Sequence, residues 1–97
     1  MTTPFKYSVT ATLSLRALHA AFDALRERSA AGLSTDELDA LHEQVKAVTR
    51  DLKADGLLPE RIIVIVRRIA TDTDLSPMLL NRVVLWSVEE YYAGPNA

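Results

Sequence analysis

The chain lacks cysteine, has few glycines and contains no long apolar run, and these absences each exclude a class of protein. Without cysteine, neither a disulfide bond nor a thiolate metal site can form. A transmembrane helix needs about 20 consecutive apolar residues, and no such stretch occurs. The first residues also lack a basic region followed by an apolar one, so we expect no secretion signal. Together these absences predict a cytoplasmic protein that does not span a membrane.

The composition is typical of an ordinary globular domain. Of the 97 residues, 48% are hydrophobic, and eleven basic against thirteen acidic residues give a net charge of −2. A chain of this length usually forms one domain and buries roughly two-thirds of its unfolded surface. The slightly acidic balance argues against nucleic acid as the main partner. We predict a single domain over 1–97, with an N-terminal arm (1–13), a helical bundle (14–93) and a tail (94–97).

Start and stop signals predict an all-α four-helix bundle, with helices at about 14–31, 35–55, 59–71 and 77–93. Ser34 and Glu37 have the S-x-x-E spacing of a capping box, and Ser76 is a further N-cap candidate. Prolines stand at the first position of the third and fourth helices, where a missing N–H costs nothing. Gly32, Gly56 and Gly94 follow the first, second and fourth helices and can end them, so no glycine is left for a phosphate-binding loop.

The segment 59–71 carries a β-branched run that would also suit a strand. Its apolar residues nevertheless recur at helical spacing, while Arg61, Arg67 and Arg68 share the opposite side, which favours a helix. A short link joins this segment to 35–55, and short links connect antiparallel neighbours. The segment 35–55 holds six acidic and three basic residues. We therefore predict that these two helices pack together as a hairpin, acidic against basic.

Apolar and polar residues alternate strictly from Phe5 to Leu13. This alternation is typical of a strand. A lone strand needs a neighbour for its backbone hydrogen bonds, and here only another copy or a partner could supply one. The alternatives are an extended arm across the bundle and an early start of the first helix. The pattern leaves strand, arm and helix open for residues 5–13.

No catalytic or metal-binding constellation can be assembled from the motifs. The chain has two histidines: His19 stands one turn before Asp23, and His42 lies at the edge of its helix. Neither histidine has further ligands or a nucleophile at a matching spacing. The acidic loop 71–74 lacks the glycine and the terminal glutamate of a calcium-binding loop. We predict no enzyme activity, no cofactor and no metal.

The segment 77–93 is apolar nearly all round, which indicates burial on more than one side or contact with a partner. Tyr91 and Tyr92 point about 100° apart on a helical wheel, so both cannot face one core. The candidate partner-binding residues are Met78, Leu85, Tyr91 and Tyr92. We predict a non-catalytic protein–protein interaction or regulatory module that forms a homodimer, or binds a protein partner, through this helix.

Two stretches of the C-terminal half resemble a known sequence pattern. They are Gly56-Leu57-Leu58-Pro59-Glu60 and Val83-Val84-Leu85-Trp86-Ser87-Val88-Glu89-Glu90-Tyr91-Tyr92. Together they resemble short, stand-alone bacterial helical proteins of uncharacterised function. The resemblance covers about the last 40 residues, and it implies a helical, cytoplasmic protein without implying an activity or a site.

A second resemblance is to ribbon-helix-helix repressors. It rests on the alternating segment, the helix that follows and the stretch from Gly32 to Glu37. Such repressors dimerise through a strand and read DNA with its outward side chains. The alternative function is therefore a dimeric DNA-binding regulator that contacts nucleic acid through Lys6, Ser8 and Thr10. Because this face carries a single positive charge, nucleic acid is the less expected partner.

Overall fold

The computed structural model describes residues 7–26, 28 and 32–93. Within these residues the fold is an all-α bundle without strands, as predicted, and its helices are α1 (Val9–Ala24), α2 (Thr35–Ala54), α3 (Pro59–Asp72) and α4 (Pro77–Tyr92). The β-branched run of 59–71 lies inside α3, so the helical periodicity of its charges indicated the right structure. No helix in the described residues combines the length and the apolar character that crossing a membrane requires.

The helix starts of α2 and α4 follow the local chemistry of their caps. The Glu37 amide donates to Ser34 Oγ at 3.1 Å, and the Ser34 amide donates to Glu37 Oε1 at 2.9 Å, which completes the capping box. At α4, Ser76 Oγ accepts from the Leu79 amide at 3.4 Å, and Pro77 occupies the first helical position. These contacts satisfy backbone donors that the first helical turn leaves unpaired.

The first helix begins earlier than the predicted boundary, and residues 9–13 are neither strand nor arm. Ser8 caps α1 by accepting the Ala11 amide at 3.1 Å, and its own amide donates to Asp55 Oδ2 at 2.9 Å. Helical geometry places Ala11 in the core and leaves Val9 and Leu13 exposed. Of the three alternatives left open by the alternation, the early start of the first helix is therefore correct for residues 9–13, because the side-chain cap and the burial of Ala11 favour a helix. Residues 5 and 6 lie outside the described part.

The same helix also ends earlier than predicted, at Ala24 rather than at 31. The Leu25 amide bonds to the Phe22 carbonyl at 2.9 Å, which tightens the last turn. Leu25 and Leu33 are both buried. Because α1 ends at Ala24, eight residues before Gly32, this glycine does not terminate the helix. Residues 27 and 29–31 lie outside the described part of the chain.

The helices are arranged so that α2 lies between α1 and α4, while α3 packs mainly against α4. The Ser8–Asp55 bond at one end and the Arg28–Glu37 ion pair (2.9 Å) at the other show that α1 and α2 are antiparallel. The predicted hairpin packing of α2 against α3 is wrong, because these helices touch only slightly. No ion pair joins them among the described residues. The short link reverses the chain, but the apolar face of α3 turns towards α4.

The core is apolar except for three polar residues, and it is formed by side chains from all four helices. Its fully or almost fully buried members include Leu18, Phe22, Leu41, Val45, Val48, Leu52, Ile62, Val66, Leu79 and Val83. Thr49 and Ser87 are buried among them and bond to each other at 2.9 Å. The third, Thr73, bonds to the Ile69 carbonyl at 2.8 Å. Every buried polar side-chain atom in the described residues therefore has a partner.

Candidate protein-interaction surface

The outward face of α4 carries three exposed apolar side chains, Met78, Leu85 and Tyr92, which we call the α4 stripe. Their exposed fractions are 72%, 56% and 68%. The residues follow one another at intervals of seven, and seven residues are within about 20° of two full helical turns. The three side chains therefore lie in one line along α4, about 10.5 Å apart.

The α4 stripe is exposed because α4 buries its opposite side. Leu79, Val83 and Ser87 recur every four residues and are buried against the rest of the bundle. On a helical wheel the centre of the stripe lies about 160° away from the centre of the buried row. The stripe is exposed at both ends and in the middle. No other described element therefore covers this outward side of α4.

Two unpaired charges flank the α4 stripe. Arg82 and Glu89 are exposed on the same side of the helix, and they too are seven residues apart. The Arg82 guanidinium lies 6.0 Å from the centroid of the Trp86 ring. In the described residues no ion pair engages either side chain. The surface therefore combines an apolar line with one positive and one negative charge free for a partner.

The two tyrosines at the end of α4 have different surroundings. Tyr91 is half-buried and packs against the core, with Lys53 Nζ 4.7 Å from the centroid of its ring. The same ammonium donates to the Tyr91 carbonyl at 2.7 Å. Tyr92 is exposed and meets Tyr91 edge to face, with ring centroids 5.2 Å apart. Of the two predicted contact tyrosines, the structure thus places Tyr92 on the stripe and Tyr91 against α2.

Of the residues of the nucleic-acid alternative, neither Ser8 nor Thr10 lies on a strand. Ser8 is the N-cap of α1, and its hydroxyl and amide are both engaged. Thr10 is exposed in the first turn of α1. Lys6 lies outside the described residues.

Two of the polar residues singled out in the sequence, His42 and Asp23, have structural partners. His42 stacks on Trp86, with ring centroids 4.4 Å apart and an interplanar angle of 15°. Asp23 accepts from Arg26 at 2.8 Å, and this hydrogen bond and the guanidinium charge lower the pKa of Asp23. Arg26 also pairs with Asp74 at 3.3 Å. Within 7–26, 28 and 32–93, no three His, Asp or Glu residues are grouped as a metal ion requires.

A second surface, which the sequence analysis missed, lies along α3. A groove of about 840 Å³ runs beside α3 from Tyr7 and the α2–α3 link. Its walls include the exposed Val64 and the half-buried Ile65, and Arg61 and Arg68 stand on its rim. The arginines were predicted to pack against α2. They are instead exposed, because α2 contacts α3 only slightly.

A third apolar face is on α1. Val9 and Leu13 are 77% and 60% exposed, and Ala17, Ala20 and Ala24 continue the same side of the helix. The structure places them opposite the core, since Ala11, Leu18 and Phe22 occupy the buried side.

Comparison with known protein families, curated proteins and solved structures finds no match to this chain. The surfaces described above are therefore the basis for a functional interpretation.

Proposed function

We propose that this protein is a non-catalytic protein–protein interaction module that self-associates through the α4 stripe. The observation that carries the proposal is the heptad spacing of three exposed apolar side chains on the outward face of one helix. Exposed apolar side chains in a continuous line mark interaction sites more often than scattered ones do. The absence of cysteine suits a reducing compartment and supports a cytoplasmic location.

The charge of α3 favours α4 as the self-association surface. Two copies that met through the α3 groove would bury Arg61 and Arg68 together with the carboxylates of Asp55, Glu60 and Asp72, which also line it. Charged residues are depleted from the centres of protein interfaces. The α4 stripe has one charge of each sign beside it. The α1 face offers less apolar surface, because alanines form three of its five residues.

The stripe predicts a weak dimer. Three exposed side chains per copy make an interface smaller than the roughly 800 Å² per partner of a standard stable complex. Association also costs translational and rotational freedom before any contact is gained. We expect a dissociation constant of about 10 μM to 1 mM.

Molar mass in solution tests the proposal. Light scattering and sedimentation equilibrium, from about 5 to 500 μM, should show a concentration-dependent shift from monomer to dimer. Leu85→Glu should weaken the dimer at least about 30-fold, because each of two symmetry-related leucines loses about 1–2 kcal/mol of apolar burial. Leu13→Glu is the matched control, since Leu13 is exposed to a similar degree on another helix (60% against 56%). Circular dichroism checks that both variants keep their helices.

A monomer at every concentration would contradict self-association. A dimer that survives Leu85→Glu but not Leu13→Glu would move the interface to α1. The DNA-binding alternative needs a strand near the N-terminus, and residues 9–13 are helical. Salt-sensitive binding of a DNA duplex that Lys6→Ala abolishes would support that alternative against ours.

A further inference from the structure

We propose that two copies associate with their α4 helices antiparallel, around a two-fold axis beside Leu85. This inference rests on the proposed self-association and adds to it the identity and the direction of the partner helix. The occupant of the α4 stripe is then α4 of a second copy of this chain.

The spacing of the stripe is symmetric about its middle residue. Met78 and Tyr92 each stand seven residues from Leu85, at about 10.5 Å along the helix axis. In an antiparallel pair, Leu85 meets Leu85 of the second copy, and Met78 meets Tyr92 of the second copy at both ends. A methionine sulfur beside an aromatic ring is a favourable contact. A stripe with this symmetry matches itself when it is reversed.

The flanking charges distinguish the two directions. Arg82 lies about 4.5 Å before Leu85 along the axis, and Glu89 lies about 6 Å after it. In the antiparallel pair, Arg82 of each copy comes within about 1.5 Å of axial register with Glu89 of the other. In a parallel pair the two Arg82 side chains would share one axial level but would lie on opposite sides of the contact, as would the two Glu89 side chains. Neither charge would then face an opposite one. Neither charge has an ion-pair partner in the described part of its own chain, so both are available to pair across the dimer.

The uncovered length of α4 permits this arrangement. The first and last residues of the stripe, Met78 and Tyr92, are both more than two-thirds exposed. A second helix can therefore lie beside α4 over its whole length. The two end contacts, each between Met78 of one copy and Tyr92 of the other, can form at the same time only if the helices lie side by side over this whole length.

Cysteine cross-linking tests the direction directly, because the natural chain has no cysteine to interfere. Met78→Cys and Tyr92→Cys are made separately, and one is given a distinguishable mass tag. Each is oxidised alone and as an equimolar mixture near the upper end of the concentration range. Disulfides form only between positions whose Cα atoms lie within about 7 Å. We expect the mixed disulfide between the two variants to exceed either homotypic product at least tenfold.

Charge reversal provides a second test that leaves the stripe intact. Arg82→Glu alone and Glu89→Arg alone should each weaken the dimer about tenfold, because two cross-dimer attractions become repulsions. The double variant R82E/E89R should return to within about threefold of the natural dissociation constant. Raised salt should reduce these differences, since exposed charges are screened.

The outcomes separate this inference from the proposed function. Homotypic disulfides in excess, or a double variant no stronger than the single ones, would overturn the antiparallel arrangement while a Leu85-dependent dimer remained. A chain that stays monomeric in light scattering would overturn the proposed function, and this inference with it. Mixed disulfides together with charge-swap rescue would support both.

Discussion

Thr49 and Ser87 form a hydrogen bond between α2 and α4 inside an otherwise apolar region of the core. Both residues are almost completely buried, and their hydroxyl oxygens are 2.9 Å apart. Thr49 Oγ1 also lies 2.8 Å from the Val45 carbonyl and donates to it. A hydroxyl has a single proton, so Ser87 must be the donor to Thr49. The pair is therefore directional, and its two members should respond differently to substitution.

The direction of the bond sets the expected magnitudes. Ser87→Ala removes one hydrogen bond, worth about 1 kcal/mol, but Thr49 keeps its proton on the Val45 carbonyl. Alanine is also the better helix former, so the net loss should be about 0.5 kcal/mol or less. Thr49→Val preserves the shape but leaves the buried Ser87 hydroxyl without its acceptor, which costs about 1–3 kcal/mol. The double variant has neither hydroxyl and should be about as stable as Ser87→Ala alone.

Denaturation of the four proteins in a double-mutant cycle measures the coupling. Urea unfolding should be followed both by circular dichroism and by the fluorescence of Trp86. The cycle is best made in the Leu85→Glu background, so that association does not add to the apparent stability. Thr49→Val should lower the melting temperature by about 4–8 °C per kcal/mol lost. Additive effects, or equal effects of the two single variants, would refute the assigned direction and would show that Ser87 finds another acceptor, such as the carbonyl one turn earlier in α4.

Four other substitutions test the helix ends. Ser34→Ala should destabilise the protein by about 1 kcal/mol in urea, because the N-cap of α2 is lost; an unchanged midpoint would contradict this. The Ser34 amide and the Arg28 guanidinium lower the pKa of Glu37 below 4.5, so its stabilising interaction is present above that value and is lost as the pH falls through the folded pKa. Between about pH 5 and pH 3 the natural protein should therefore lose stability more steeply than Glu37→Gln, and parallel curves would argue against the linkage. Gly56→Ala should lower the free energy of unfolding by about 1–2 kcal/mol, because Gly56 has φ of +93°, which strains a residue with a side chain. A steric clash would not be the cause, since no atom lies within 4 Å of the added carbon. An unchanged melting temperature would exclude this backbone strain. Asp74→Gly should stabilise the protein by about 0.5–1 kcal/mol, since Asp74 has φ of 55° and its ion pair with Arg26 is exposed; a lower melting temperature would contradict this.

A helix end could be predicted where residues close in sequence fix it. It could not be predicted where the same residues also fit another structure or give no characteristic pattern. The capping box of α2 acts within three residues, so Ser34 and Glu37 identified the start of α2 correctly. Ser8 caps α1 in the same way but lacks a glutamate three residues later, and the alternating pattern around it suggested a strand. At the end of α3, Asp74 adopts the left-handed conformation that glycine adopts after α2, and the residue type gave little indication of it.

The apolar residues of the candidate surface could be predicted from the sequence, but the role of the charges beside them could not. Of the four predicted contact residues, Met78, Leu85 and Tyr92 are exposed, whereas Tyr91 is half-buried against the core. Arg82 and Glu89 were not singled out. Their importance depends on neither side chain having an ion-pair partner among the described residues of its own chain. Only the packing of the helices shows this.

By itself, the sequence determined that the chain forms helices, where most of them begin and which faces are apolar. Caps, prolines and helical periodicity act over a few residues, so one chain is enough to read them. Only the tertiary structure decided which helices are neighbours. An amphipathic pattern specifies that a helix must bury one face, but it does not specify which other helix covers that face. For this reason only the structure shows that α2 packs between α1 and α4, that the arginines of α3 are exposed, and that no described element covers the outward side of α4.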